Sequence, residues 1–145
     1  MANSGQVHLV PDAISILDWY DGAIRGIAKS QDDYYLFIMV AWDPNSWRRS
    51  FVVINLDDAT ADEMIKLCNA AAEPDGEENW DRLDQVYDQY LANYAGSAYL
   101  LNEQPLATKS CTLTPIPLDY IAELRGFDIE KTIDPKAQTF WFALQ

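Results

Sequence analysis

Histidine occurs once in this 145-residue chain and cysteine twice, and each scarcity removes a class of chemistry. A Ser-His-Asp or Cys-His triad would have to recruit His8, in an N-terminal segment expected to be mobile, so nucleophilic catalysis with a histidine base is not expected. Cys68 and Cys111 are too few and too far apart for a disulfide framework or a Cys-rich zinc site, and both read as reduced thiols. A glycine-rich phosphate loop is lacking as well, because Gly22-Ala23-Ile24-Arg25-Gly26 reads as part of a hairpin and opens no helix. No apolar run approaches the roughly 18 residues of a membrane span. Met1 to Gln6 is polar, and the apolar stretch after it is broken by His8, Pro11 and Asp12, unlike an export signal. A cytoplasmic location is the expectation, with no cofactor, metal or membrane partner.

Basic residues are also scarce: ten Lys and Arg stand against twenty-three Asp and Glu, for a net charge of −13. Such a surface repels phosphate backbones and attracts basic proteins and cations, so nucleic acid is not expected as a partner and a basic protein is. What the chain has in quantity is apolar area. At 49% hydrophobic and 12% aromatic residues it can offset the entropy of ordering, and a single domain over residues 1–145 is expected.

Between Ile14 and Leu56 the pattern is strand, turn, strand at short spacing. Asp21-Gly22 sits between apolar runs and supplies the positive φ of a two-residue hairpin, so Ile14–Tyr20 should pair with Ala23–Lys29. Tyr34–Trp42 carries no charge and is rich in aromatic and branched residues, as in a central strand covered on both faces; a helix is the alternative. Ser50–Leu56 completes an antiparallel meander of four strands. After Asp57 the period changes. Thr60-Ala61-Asp62-Glu63 has the form of a capping box opening a helix whose buried face carries Met64, Leu67, Cys68 and Ala71. Asn79 is the expected cap of a second helix with an apolar stripe of Trp80, Leu83, Tyr87, Tyr90, Leu91 and Tyr94, closed by Gly96. Ser97–Pro117 reads as loop with one possible strand. A short helix from Pro117 and a last strand over Gln138–Leu144 follow. The expected fold is α+β: about four strands, two or three helices on one face, and a C-terminal strand added to the sheet.

Candidate chemistry is thin. Glu73–Asp84 has oxygens enough for a calcium loop but puts glycine at position four, where that loop needs it at six. With twenty-three acids some carboxylate pair will meet any distance, so a glycosidase-like pair carries no specificity. Recognition is better supported. Glu77, Glu78, Asp81, Asp84 and Asp88 recur on the polar side of the second helix, and Trp47 and Arg48 join an aromatic and a guanidinium in a predicted loop, residue types enriched at interface hot spots. The alternative for that loop is that Trp47 covers a sheet edge while Arg48 and Arg49 pair with nearby acids.

Ile16-Leu17-Asp18-Trp19-Tyr20-Asp21-Gly22 and the aromatic strand after it resemble the opening of small uncharacterised bacterial proteins with a Tyr-Asp-Gly hairpin, over about a third of the chain; Ala23 stands where that group is expected to have proline. In size and acidity the chain is also similar to immunity proteins of bacterial toxin systems, and that likeness implies inhibition by covering a cognate basic protein. The expectation is therefore a non-enzymatic acidic interaction module, an inhibitor or immunity factor, with a small-ligand binder or carboxylate-dependent hydrolase as the alternative.

Overall fold

A computed structural model describes residues 6–19, 23–43 and 48–117. They form seven strands, β1 (Val7–Leu9), β2 (Ala13–Trp19), β3 (Ala23–Ser30), β4 (Asp33–Asp43), β5 (Arg48–Leu56), β6 (Ala98–Leu101) and β7 (Cys111–Ile116), with helices α1 (Asp58–Ala71) and α2 (Glu78–Asn93) between β5 and β6. The expectation of about four strands with two or three helices is corrected: the sheet has seven strands, all antiparallel, in the order β1-β7-β6-β5-β4-β3-β2, and the described residues hold two helices. The Asp21-Gly22 turn, the helix after Pro117 and the strand over Gln138–Leu144 fall outside the described residues.

Strand order dictates curvature. β1 and β2 lie at opposite ends of the sheet yet are joined by Val10, Pro11 and Asp12 alone. A flat sheet would hold its outer strands about 29 Å apart, whereas the chain from Leu9 to Ala13 can reach about 14 Å. The sheet must therefore roll into a half-barrel that brings its edges together. Backbone and side-chain bonds grip the connection from both sides: Asp12 N donates to Lys29 O, Thr108 N to Pro11 O and Ser30 Oγ to Val10 O, at 2.6, 2.7 and 2.9 Å. His8, expected in a mobile segment, lies on β1 opposite Thr112.

Rolling gives the sheet two buried faces. The inner one is filled by residues such as Leu9, Ile24, Phe37, Met39, Phe51, Val53 and Leu113, with Phe37 and Phe51 edge to face at 5.5 Å. The outer one carries Ile27, Leu36, Ile38, Val40, Val52 and Ile54 against Ala61, Met64, Leu83, Tyr87 and Leu91 of the helices. Alternate residues of β4 thus enter different cores, which explains the long uncharged run between Asp33 and Asp43.

Local signals set the helix ends, not always those expected. Asp57, extended at φ −73° and ψ 156°, is the cap of α1 and accepts from Thr60 N at 2.7 Å; Thr60 is the third residue of the first turn and not the cap. α2 starts at Glu78 without a side-chain cap, Asn79 bonds back to Gly76 O at 3.0 Å, and the helix ends at an extended Tyr94, so Gly96 is no left-handed stop. Gly76 lies buried where an added Cβ would run into the carbonyl of Ala70, a close approach that ties the connector to α1. β6 and β7, read as loop from sequence, pair with each other, and Pro115 falls beyond the three residues of β7 that β1 covers.

Two substitutions check this construction. A Cβ on Gly26 would meet the Phe37 ring and come within 2.9 Å of Ser15 O, so Gly26→Ala should cost about 3 kcal/mol. Thr108, β-branched, sits at φ 64°, and Thr108→Asn should gain about 1 kcal/mol by relieving a left-handed backbone. Urea unfolding midpoints of the two variants should move in opposite directions.

Candidate functional site

Residues 57–93 hold eleven Asp and Glu against Lys66 and Arg82, so nine of the thirteen net negative charges reside in the helical layer and its cap. α2 is helical because Leu83, Tyr87 and Leu91 recur at four-residue spacing and are buried on the sheet. The remaining positions face water and can carry charge. Glu78 and Asp81 occupy its first turn, where acids meet the positive end of the helix dipole.

The predicted acidic residues separate into three environments. Glu77, Glu78 and Asp81 are exposed. Asp84 is 54% exposed but accepts from Arg25 Nη2 at 2.9 Å. Asp88 is half-buried, and its charge acts on Tyr87. Trp80, expected in the apolar stripe, is 36% exposed beside these acids instead of lying in the core. Trp47 lies outside the described residues. Arg48 opens β5 opposite Asp43. Its neighbour Arg49 is 5% exposed and donates to Ala23 O at 2.9 Å, so the two arginines do not form a shared exposed pair.

Beneath α2 lies a charged cluster that sequence reading missed. A bulge in β2 between Ile16 and Asp18 turns Leu17 and Asp18 together toward the helices. Asp18 there pairs with Arg25 Nε, while the Arg25 guanidinium lies 4.6 Å from the centre of the Tyr87 ring. Arg25 is 4% exposed. Burial opposes its charge, but the charge of Asp18 and the hydrogen bonds that Arg25 donates to Asp18 and Asp84 outweigh burial, and its pKa is raised. Cys68 Sγ, near the same groups, bonds to Ile16 O at 3.6 Å. Burial and then Asp18 push its thiol up, with Arg25 opposing, so it stays protonated at neutral pH. Arg25 and Cys68 are both held in their resting protonation states, which suits structure better than proton transfer.

A second feature is concave. An open groove of about 740 Å³ runs between the start of α1 and the C-terminal half of α2. Asp57, Thr60 and Glu63 line it from the cap and first turns of α1, and Arg82, Gln85, Gln89 and Asn93 from α2, over the half-buried Tyr90 and Tyr94. Tyr90 donates to Asn55 O at 2.7 Å and Tyr94 accepts from Asn55 N at 3.1 Å, so both rings are pinned to β5. Their spacing is legible in the sequence, three residues apart in the first set and four among the amides of the second, but neutral amides attract no notice beside so many acids. Among the described residues no three His, Cys, Asp or Glu converge as metal ligands, and no helix is long and apolar enough to cross a membrane.

Comparison with protein-family models, with curated proteins and with solved structures finds no match for this chain.

The cluster predicts an unequal response to mutation. Arg25→Met strands the carboxylate of Asp18, 16% exposed, and should cost about 3–5 kcal/mol. Asp84→Asn removes the exposed member of its pair while Arg25 keeps Asp18, and should cost about 1 kcal/mol or less. Chemical denaturation of both variants provides the test.

Alkaline pH supplies another check. Burial, opposed by Arg25 and reinforced by Asp88, holds the fully buried Tyr87 phenol far above its ordinary range. The unfolded chain ionises this tyrosine near pH 10, so its contribution is complete below that pH and is lost as pH rises. Stability should fall by about 1.4 kcal/mol per pH unit above pH 10 on account of Tyr87. In Tyr87→Phe, which keeps the ring under Arg25, that share of the slope should vanish from unfolding midpoints measured between pH 9 and 11.5.

Proposed function

We propose that this chain is a non-enzymatic interaction module that docks its acidic helical layer on a basic partner protein, as an inhibitor or immunity factor would. The observation that carries the reading is the segregation of charge: eleven acids against two bases over residues 57–93, with Glu77, Glu78 and Asp81 turned to water. A field of one sign on one layer steers an oppositely charged protein and raises its on-rate. Trp80, exposed next to Asp81, is the aromatic anchor that such a contact would bury.

Sign makes the argument stronger than exposure alone. Glu77 and Asp81, Glu78 and Asp81, Asp81 and Asp84, and Asp84 and Asp88 are like-charged neighbours three or four residues apart on α2, together costing about 1 kcal/mol of helix stability. A cationic partner converts that repulsion into attraction. The second reading, a small-ligand binder, draws on the groove between the helices, whose polar lining and open form suit a chain segment better than an enclosed molecule.

Affinity purification with this protein as bait should recover one stoichiometric basic protein. The triple variant Glu77→Lys, Glu78→Lys, Asp81→Lys should slow association with it at least about tenfold at low salt, with the circular dichroism spectrum unchanged. Association rates that are indifferent to the reversal would remove this face from the interface.

A further inference from the structure

The groove between α1 and α2 differs in chemistry from the acidic face around it. Gln85, Gln89 and Asn93 stand at four-residue intervals on α2 and line one cavity with Asp57 and Glu63. Successive amides with that spacing lie on one side of the helix, about 12 Å from first to last, the length of roughly four residues of extended chain. A side-chain amide both donates and accepts, as does a peptide group, so a row of them is complementary to main chain and to no particular side chain. Asp57 and Glu63 on the facing wall are complementary to ammonium or guanidinium groups, and with Arg82 on the α2 wall the lining keeps a net charge of −1. Among the described residues the side chains of Gln85, Gln89 and Glu63 make no hydrogen bond within the protein, whereas the Asn93 side chain is engaged, its Nδ2 donating to the Gln89 main-chain O at 3.0 Å. The floor is fixed in advance, because Tyr90 and Tyr94, 5.8 Å apart between ring centres, are held by Asn55.

We infer that this groove binds an extended, lysine- or arginine-bearing segment of the partner protein, with Gln85 and Gln89 holding its main chain and Glu63 and Asp57 meeting its cationic side chains. The inference rests on the proposed function and narrows it: the outer face of α2 supplies attraction at a distance and the groove supplies the specific contact. Charge complementarity selects a basic segment, and the amide row selects a polypeptide over a simple polyamine.

Acetylated, amidated pentalysine titrated into the isotopically labelled protein, followed by amide-resolved NMR, provides the test. The expected result is a set of shifts at the side-chain amides of Gln85 and Gln89 and the backbone of Glu63, with affinity about tenfold weaker in Gln89→Ala, which changes no charge. Spermine should bind more weakly and be insensitive to that substitution. The inference is overturned if shifts map to Glu77, Glu78 and Asp81 instead, if Gln89→Ala binds pentalysine like the parent protein, or if spermine reproduces the same shifts and the same sensitivity. In the first two cases an acidic docking face survives without the groove; failure of the charge-reversal experiment would remove that face independently.

Discussion

Three residues between β1 and β2 constrain everything else in this protein. Because Val10, Pro11 and Asp12 must join the two ends of a seven-stranded sheet, the sheet cannot lie flat, and each strand acquires an inside and an outside with different neighbours. The inside is filled by the sheet's own side chains, drawn from all seven strands. The outside needs a cover, and α1 and α2 provide it. With both faces buried, the central strands can hold charge only where it is paired or hydrogen-bonded, as at Arg25 and Arg49, and most of the charge collects on the helices and turns.

Holding an acidic helix against such a sheet is an electrostatic problem, and Arg25 is its answer. The bulge at Asp18 and the alternation of β3 direct a carboxylate and a guanidinium to the helical side of the sheet, where Tyr87 covers the guanidinium with its ring and Asp84 reaches down to it. Asp18 supplies the neutralising charge in the less exposed position, and Asp84 a weaker tether at the rim. α2 is thereby fastened by one of its own acids, which orients that helix so that Glu77, Glu78 and Asp81 remain outside. The energetic weight falls on the inner pair because a stranded buried charge costs several kcal/mol, whereas a rim pair contributes about 1 kcal/mol or less.

Legibility in the sequence followed how local each determinant was. The uncharged run Tyr34–Trp42 and the Asp21-Gly22 punctuation draw on signals within a few residues; the first lies in β4, and β2 and β3 flank the second. β1, β6 and β7 do not announce themselves: they are three, four and six residues long, and β1 is a strand only because Val7 to Leu9 meet Leu113 to Cys111 more than a hundred positions later. Thr60 has the local pattern of a helix cap, but Asp57, three residues earlier, fills that place. Arg25 was the least legible residue of all, since an arginine in a half-alternating strand reads as solvent-facing until the bulge at Asp18 and the position of Tyr87 are known. The acidic face emerged from spacing on α2, but Asp84's tie to the sheet did not, and the groove escaped because its amides are unremarkable one at a time.

The scarcity of charge in a doubly buried sheet explains why residues 57–93 are polar, but not why their charges are nearly all of one sign. Lysine and arginine would solvate the outer faces of α1 and α2 equally well, and alternating signs would replace repulsion on α2 with favourable pairs. The last turns of both helices even lack the basic residues that their dipoles favour. Folding gains from the acids at the helix starts and from Asp84 at Arg25, but the like-charged neighbours along α2 still oppose it by about 1 kcal/mol. A surface that departs so consistently from what its own stability prefers is matched to something outside the chain, and the sign of the departure specifies that this counterpart is positively charged.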